Sequence, residues 1–298
     1  MKARKILILL SALLPLLACS REDTPAYKYG DTVRVSLNIF TQEMPSTGTR
    51  AEFALDPKVE NPIADVWVLQ YDELGQLCTA EHSVKTPTLR IPDHQVSLHV
   101  RPTSTIVVFA NMGEIAEDSS YEWPATLTLL HESRFAADMS LDINGGANPA
   151  RLFMMGETTL DASQITTPST SINVMLSRLC CKLAVAVYQK ANEFHDLHVQ
   201  IVDAVRGFVV QPTEDRFTAD YEDYVEDVSG NITSTRKYFY YYLYENLDPA
   251  RQTKIKVTVT GKDGNVRTRL FPISPEGSLQ RNTFYNVDLE IKGSGGTI

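Results

Sequence analysis

The spacing of the apolar residues limits this chain to β structure. Val33, Val35, Leu37 and Ile39 alternate with Arg34, Ser36, Asn38 and Phe40, and a period of two places the two sets on opposite faces of a strand. Residues 64–71 (ADVWVLQY) are apolar on both faces, as a strand buried from both sides would be. The same signals place strands at 95–100 and 105–110, broken by Pro102, and at 151–155, 171–176, 179–188, 197–202 and 207–210. Four more fall at 237–244, 253–260, 266–273 and 284–291. Lys262-Asp-Gly-Asn265 joins two of them as a hairpin turn, because Asp-Gly accommodates positive φ. Only residues 123–138 read as helix, and weakly. Many short strands with regular turn signals mean an all-β sandwich architecture.

Residues 161–170 (DASQITTPST) are rich in Ser, Thr and Pro and are the expected boundary between two domains, 19–168 and 169–298. The acidic stretch 213–230 reads as a long solvated loop. No internal repeat and no second apolar run long enough to span a bilayer is present.

The chain begins with Lys2, Arg4 and Lys5, followed by an apolar run from Ile6 to Leu17 and the junction Leu16-Leu17-Ala18-Cys19. The run is too short for a spanning helix, which needs roughly 20 apolar residues, and it fits the core of a secretory signal. A small residue before a cysteine is the pattern of a bacterial lipobox. Residues 1–18 are therefore expected to be a cleaved signal peptide, and Cys19 to carry the lipid. The alternative is an ordinary secretory signal with a chance cysteine. Acyl chains hold a protein on a membrane by roughly 0.8 kcal/mol per buried CH₂, and stable anchoring takes more than one chain.

The formal net charge is −9, and loss of the three basic residues at the start brings it near −12. Such a surface argues against nucleic acid and against docking to anionic lipid by charge. Cys78, Cys180 and Cys181 remain after lipidation, an odd number without a Cys-x-x-Cys pair, which gives neither a complete disulfide framework nor a zinc site. Cys180 and Cys181, adjacent in a strand, are expected to point to opposite faces as small buried hydrophobes.

Motifs for catalysis are absent: there is no Gly-x-Ser-x-Gly elbow, His-Glu-x-x-His, P-loop or Gly-x-Gly-x-x-Gly. His195 and His198 would share a face on a helix but not in the strand that their neighbours suggest. The acidic stretch lacks the spaced pattern of a calcium loop. No enzyme activity, metal or cofactor is expected. Tyr238, Tyr240, Tyr241, Tyr242 and Tyr244 lie in one strand, read first as core packing with phenols at a rim and second as a binding platform.

Several segments in order resemble the Bacteroidetes fimbrillin proteins, the subunits of type V pili. They are the lipobox Cys19, the strand that follows it, Thr49-Arg50-Ala51, residues 63–72 (IADVWVLQYD) and residues 106–111 (IVVFAN). The second half adds residues 176–184 (LSRLCCKLA), 242–246 (YLYEN) and 281–285 (RNTFY). Cys19-Ser-Arg-Glu-Asp23 is similar to the acidic tag that sends lipoproteins of that phylum to the cell surface. The resemblance implies two transthyretin-like β-sandwich domains and an outer-membrane or fimbrial location. It also implies cleavage between Arg50 and Ala51 by an Arg-specific protease, loss of the strand carrying Val33, Val35, Leu37 and Ile39, and its replacement by a strand of another fimbrial subunit. Arg50 lies in a Pro/Ser/Thr/Gly segment of the kind that proteases cut. After the last strand only Lys292-Gly-Ser-Gly-Gly-Thr-Ile298 follows, which has no alternating apolar residues to donate. A tip or accessory subunit is therefore expected rather than a stalk, the alternative being that residues 284–291 are themselves the donated strand. The rivals are a lipid-retaining pilus anchor and a surface glycan-binding lipoprotein using residues 238–244.

Overall fold

The computed structural model describes residues 27–43, 62–113, 121–135, 152–165, 171–189, 193–213, 221–228 and 237–292. The signal segment, Cys19, Arg50 and Ala51 lie outside the described residues.

Strands β1 (Thr32–Thr41), β2 (Ile63–Tyr71), β3 (Leu77–Thr88), β4 (Arg90–His99) and β5 (Thr103–Ala110) come first. A short helix α1 (Leu127–Glu132), β6 (Arg134–Phe135), β7 (Met154–Asp161), helix α2 (Ala162–Ile165) and β8 (Ser171–Arg178) follow. Seven of these strands hydrogen-bond in the order β3-β2-β5-β7-β8-β1-β4. The ribbon folds on itself at its middle, because β7 and β8 pair only through Met154–Arg178 and Met155–Ser177. One layer is β3-β2-β5-β7 and the other β8-β1-β4. Val33, Leu37, Val66, Val68, Val108, Val96, Leu98 and Val174 meet between them in one core. The period of two that marks β1 in the sequence is the period of its burial.

The second half contains β9 (Cys180–Gln189), β10 (Phe194–Val205), β11 (Phe208–Val209), β12 (Tyr221–Val228), β13 (Lys237–Tyr244), β14 (Lys254–Gly261), β15 (Val266–Pro272) and β16 (Phe284–Ile291). A sheet ordered β12-β10-β14-β15 faces a sheet ordered β13-β9-β16. Cys181, Leu183, Val185, Leu197, Val199, Tyr241, Val257 and Leu289 fill the space between them. The chain is thus all-β and built of two sandwiches. The β14–β15 hairpin turns at Gly264, with φ +79°, as its Asp-Gly pair requires.

A third apolar cluster joins the two halves. Tyr71, Phe109, Trp123, Phe135 and Leu152 of the first half pack with Cys180, Val205, Phe208, Tyr242 and Tyr244 of the second. Phe208 and Val209 also pair with Phe135 and Arg134 as a two-stranded ribbon. Cys180 and Cys181 point to opposite faces, one into this cluster and one into the second core, and none of the three described cysteines is in a disulfide.

Three elements depart from the expectations. Strand β3 gave no apolar alternation because it is an edge strand whose side chains are largely half-buried or exposed; charge and proline on an edge discourage pairing with a foreign strand. The acidic stretch is not all loop: Tyr221–Val228 is a strand paired antiparallel to β10. Its acidic residues masked Tyr221, Tyr224, Val225 and Val228, which favour extended backbone. Of the helix expected over residues 123–138, the described residues 123–135 contain Leu127–Glu132, started by Thr126, whose Oγ1 accepts from the Leu129 N–H at 3.2 Å. Strand β8 follows the Ser/Thr/Pro stretch yet pairs with β1 and β7, and we propose that the two units divide between Arg178 and Cys180.

Candidate strand-exchange site

β1 is an interior strand. It runs antiparallel to β4, from Thr32–His99 to Phe40–Arg90, and parallel to β8, from Ser36–Ser171 to Thr41–Leu176. Val33, Val35, Leu37 and Ile39 are 6%, 2%, 0% and 0% exposed. Burying four such side chains contributes roughly 6–12 kcal/mol of transfer free energy, at about 1.5–3 kcal/mol each. That is comparable to the whole stability of an ordinary domain, about 5–15 kcal/mol. The outward face is polar: Asn38 Nδ2 donates to Asn173 Oδ1 at 3.1 Å, and Ser36 Oγ donates to Asp93 Oδ1 at 3.3 Å. The pairing slips between Leu37 and Ile39, opposite Asp93, whose φ is +51°.

Removing β1 would leave two facing edges, those of β4 and β8, rather than one. β4 has other holds. Gln70 is fully buried, and its side-chain amide pairs with the main chain of His99 as a strand residue would. Nε2 donates to the His99 carbonyl at 2.7 Å and Oε1 accepts from the His99 N–H at 2.8 Å. Nε2 also donates to Ser104 Oγ at 2.8 Å, and the Ser97 N–H donates to Glu81 Oε1 at 3.2 Å. The bonds to His99 and Ser97 tie β4 to the opposite layer without using any atom of β1.

The exit of β1 is held from the other side. The Gln42 N–H donates to the Leu176 carbonyl at 2.7 Å, and Ser177 Oγ donates to Gln42 Oε1 at 2.5 Å. Arg178 Nη1 donates to the Gln42 carbonyl at 2.9 Å and to Asn282 Oδ1 at 2.8 Å, and Asn282 Nδ2 donates to the Glu43 carbonyl at 3.4 Å. Beside them Arg281 ties together parts of the second half: its Nε donates to Glu245 Oε2 at 2.7 Å, and its two Nη atoms donate to the Val209 and Val210 carbonyls at 2.8 Å. Gln70, Arg178 and Asn282 were not singled out by the sequence reading, although each lies in a segment that carries the family resemblance.

His94 sits opposite Leu37 in the β1–β4 pair, buried on the core side. Burial, with Lys85 adding to it, pushes its imidazole down from 6.5 to about 4. The folded chain therefore keeps His94 neutral where the unfolded chain takes up a proton. The stability that depends on this group is complete above about pH 6.5 and is lost progressively as the pH falls to about 4. We expect His94→Gln to remove that part of the acid sensitivity, seen as a flatter dependence of the urea midpoint on pH between those limits. An unchanged slope would show that His94 does not report on this pairing.

Among the described residues no three His, Cys, Asp or Glu side chains come together as a metal site. His195 Nδ1 lies 2.7 Å from Asp196 Oδ2 on the surface. The tyrosine strand is divided. Tyr241 enters the second core and Tyr242 and Tyr244 the cluster between the halves, while Tyr238 and Tyr240 remain half-buried on the outer face beside Ala186 and Ala184. On that face Lys182 Nζ lies over the rings of Tyr240, Tyr242 and Phe284 at 5.4, 5.9 and 5.5 Å.

The fold of this chain is similar to those of several solved fimbrial and cell adhesion proteins. The tip fimbrial protein Mfa3 from Porphyromonas gingivalis is similar at 11% identity, with a TM-score of 0.55 over 88% of this chain and 95% of that one. A fimbrilin from the same organism is similar at 14% identity, with a TM-score of 0.56 over 88% and 91%. A candidate cell adhesion protein from Bacteroides eggerthii gives 16% identity and a TM-score of 0.60 over 89% and 88%. At these identities the likeness is one of fold. No protein-family model and no curated protein matches the chain.

Proposed function

We propose that this protein is a fimbrial subunit of the tip or accessory kind, exported as an outer-membrane lipoprotein on Cys19 and engaged in adhesion. In this reading an Arg-specific protease cuts between Arg50 and Ala51. β1 then leaves, and a strand of another fimbrial subunit enters the slot between β4 and β8. The observation that carries the reading is the place of β1: an interior strand with four buried apolar side chains, joined to the rest only through the segment that contains Arg50. A cut there breaks the covalent link between β1 and the described strands that follow it. The empty slot has two open edges and an apolar floor, which suit addition of an extended peptide. The side-chain ties of Gln70 to β4 favour a slot that keeps its width.

The tip or accessory assignment draws on the way β16 is held. β16 pairs parallel with β9 and places Tyr285, Leu289 and Ile291 in the second core, which makes it a poor strand to donate. The edge strand β15 is a poor acceptor. It holds Arg267 half-buried on the core side, over the Phe194 ring at 5.5 Å, and an inward charge opposes edge-to-edge pairing.

The test is the mass and N-terminal residue of the protein from native outer membranes and from sheared surface filaments. An N-terminus at Ala51 in the filaments is expected. A lipidated Cys19 terminus confined to the membrane would overturn processing and leave the lipid-retaining anchor.

A further inference from the structure

Among the described residues Arg178 is the largest side chain to be fully buried, at 1% exposure. A guanidinium stays charged in a protein, and a buried charge is tolerated only where acceptors are built around it. Two of its acceptors are the Gln42 carbonyl and Asn282 Oδ1, at 2.9 and 2.8 Å. Asn282 is itself fixed: its φ is +52°, a conformation Asn tolerates better than most residues, and its N–H donates to the Cys180 carbonyl at 2.7 Å. From there its Nδ2 reaches the Glu43 carbonyl at 3.4 Å. The two carbonyls are consecutive, and they lie just past the last β1–β8 pair, Thr41–Leu176.

Arg178 ends β8, and Asn282 precedes β16. A cut after Arg50 would remove neither, whereas it would release Gln42 and Glu43 with β1. The buried charge then faces a slot that no longer supplies its carbonyl. We infer that Arg178 and Asn282 form a carbonyl clamp that binds the main chain at the C-terminal end of whichever strand occupies the β1 slot. The ligand is an extended peptide that continues about two residues beyond its last ladder pair. The clamp reads main chain, so it selects for strand length and leaves side-chain choice to the core. The inference rests on the strand-exchange reading above.

The experiment uses the full chain with a site for a sequence-specific protease placed between Glu43 and Pro62. After cutting, the N-terminal fragment is displaced by excess fluorescent peptide. Two peptides are compared, residues 31–43 and 31–41 of this chain, both amidated at the C-terminus. The longer peptide is expected to dissociate at least about tenfold more slowly, the effect of hydrogen bonds to a charged group. Gln42 also bonds to Leu176 and Ser177, so the clamp is isolated by variants. In Arg178→Lys, which keeps the charge and loses the planar fork, the ratio should fall below about threefold. Asn282→Gly keeps the left-handed backbone, should also reduce the ratio, and serves if the lysine variant does not fold. Equal rates for the two peptides, or a ratio unchanged in both variants, would overturn the clamp and leave strand exchange standing. Uptake of neither peptide would overturn strand exchange and the clamp together.

Discussion

Leu37→Ala should destabilise the first sandwich by about 2–5 kcal/mol, the range for truncating a buried leucine. Leu37 is fully buried between two layers and has β4 on one side and β8 on the other. The neighbours that would have to move into the cavity are themselves held by ladders, so collapse around it should be poor. Arg34→Ala, on the outward face of the same strand, should cost no more than about 0.5 kcal/mol. Urea unfolding of both variants gives the contrast. Similar small losses at the two positions would mean that β1 is not a core strand, and the argument for exchange would lose its driving force. If the contrast holds, it also states what a replacement strand must bring: apolar side chains at the positions of Val33, Val35, Leu37 and Ile39.

Much of this was legible in the residues because most of the strands alternate or are apolar throughout. β1, β2, β5, β9 and β13 could be placed from period and composition, and so could the Asp-Gly hairpin. β3 and β12 could not. An edge strand is under little pressure to alternate, and an acidic strand reads as loop when its partner is unknown. Topology was also hidden. Nothing in the sequence says that β8, beyond a Ser/Thr/Pro stretch, lies parallel to β1. The polar residues of the resemblance-bearing segments were quoted as signatures without a role. Paired in space, they are the fasteners. Asn111, at φ +66°, accepts from the Ala64 N–H and donates to the Pro62 and Leu152 carbonyls. Gln70 holds β4, Arg281 holds Glu245 and β11, and Arg178 with Asn282 holds the exit of β1. Such pairs are separated by as many as 239 residues in the chain, so one sequence read alone gives no way to match them.

The corner where β7 leaves β8 should tolerate no side chain at its glycine, Gly156. Gly156 follows the two residues of β7 that pair with β8, and a Cβ built there would overlap the Met175 carbonyl oxygen and crowd Val174 Cγ1 at 3.0 Å. The obstacle is main chain, which cannot rotate away as a side chain does. To admit a methyl group, β8 must shift, and β8 carries Ile172, Val174 and Leu176 into the core while pairing with β1. Gly156→Ala is therefore expected to cost about 3 kcal/mol, toward the upper end for overpacking a core. Gly264→Ala is the control. Its Cβ would meet nothing within 4 Å, so only the positive φ is penalised, by roughly 1–2 kcal/mol. Because β8 is one wall of the β1 slot, the loss at Gly156 should appear twice: in the urea midpoint, and as faster release of the N-terminal fragment after a cut between Glu43 and Pro62. A lower midpoint with unchanged release would separate the corner from the slot. An unchanged midpoint would mean that β8 yields freely at Met175, and the fold of the ribbon at that corner would not depend on glycine.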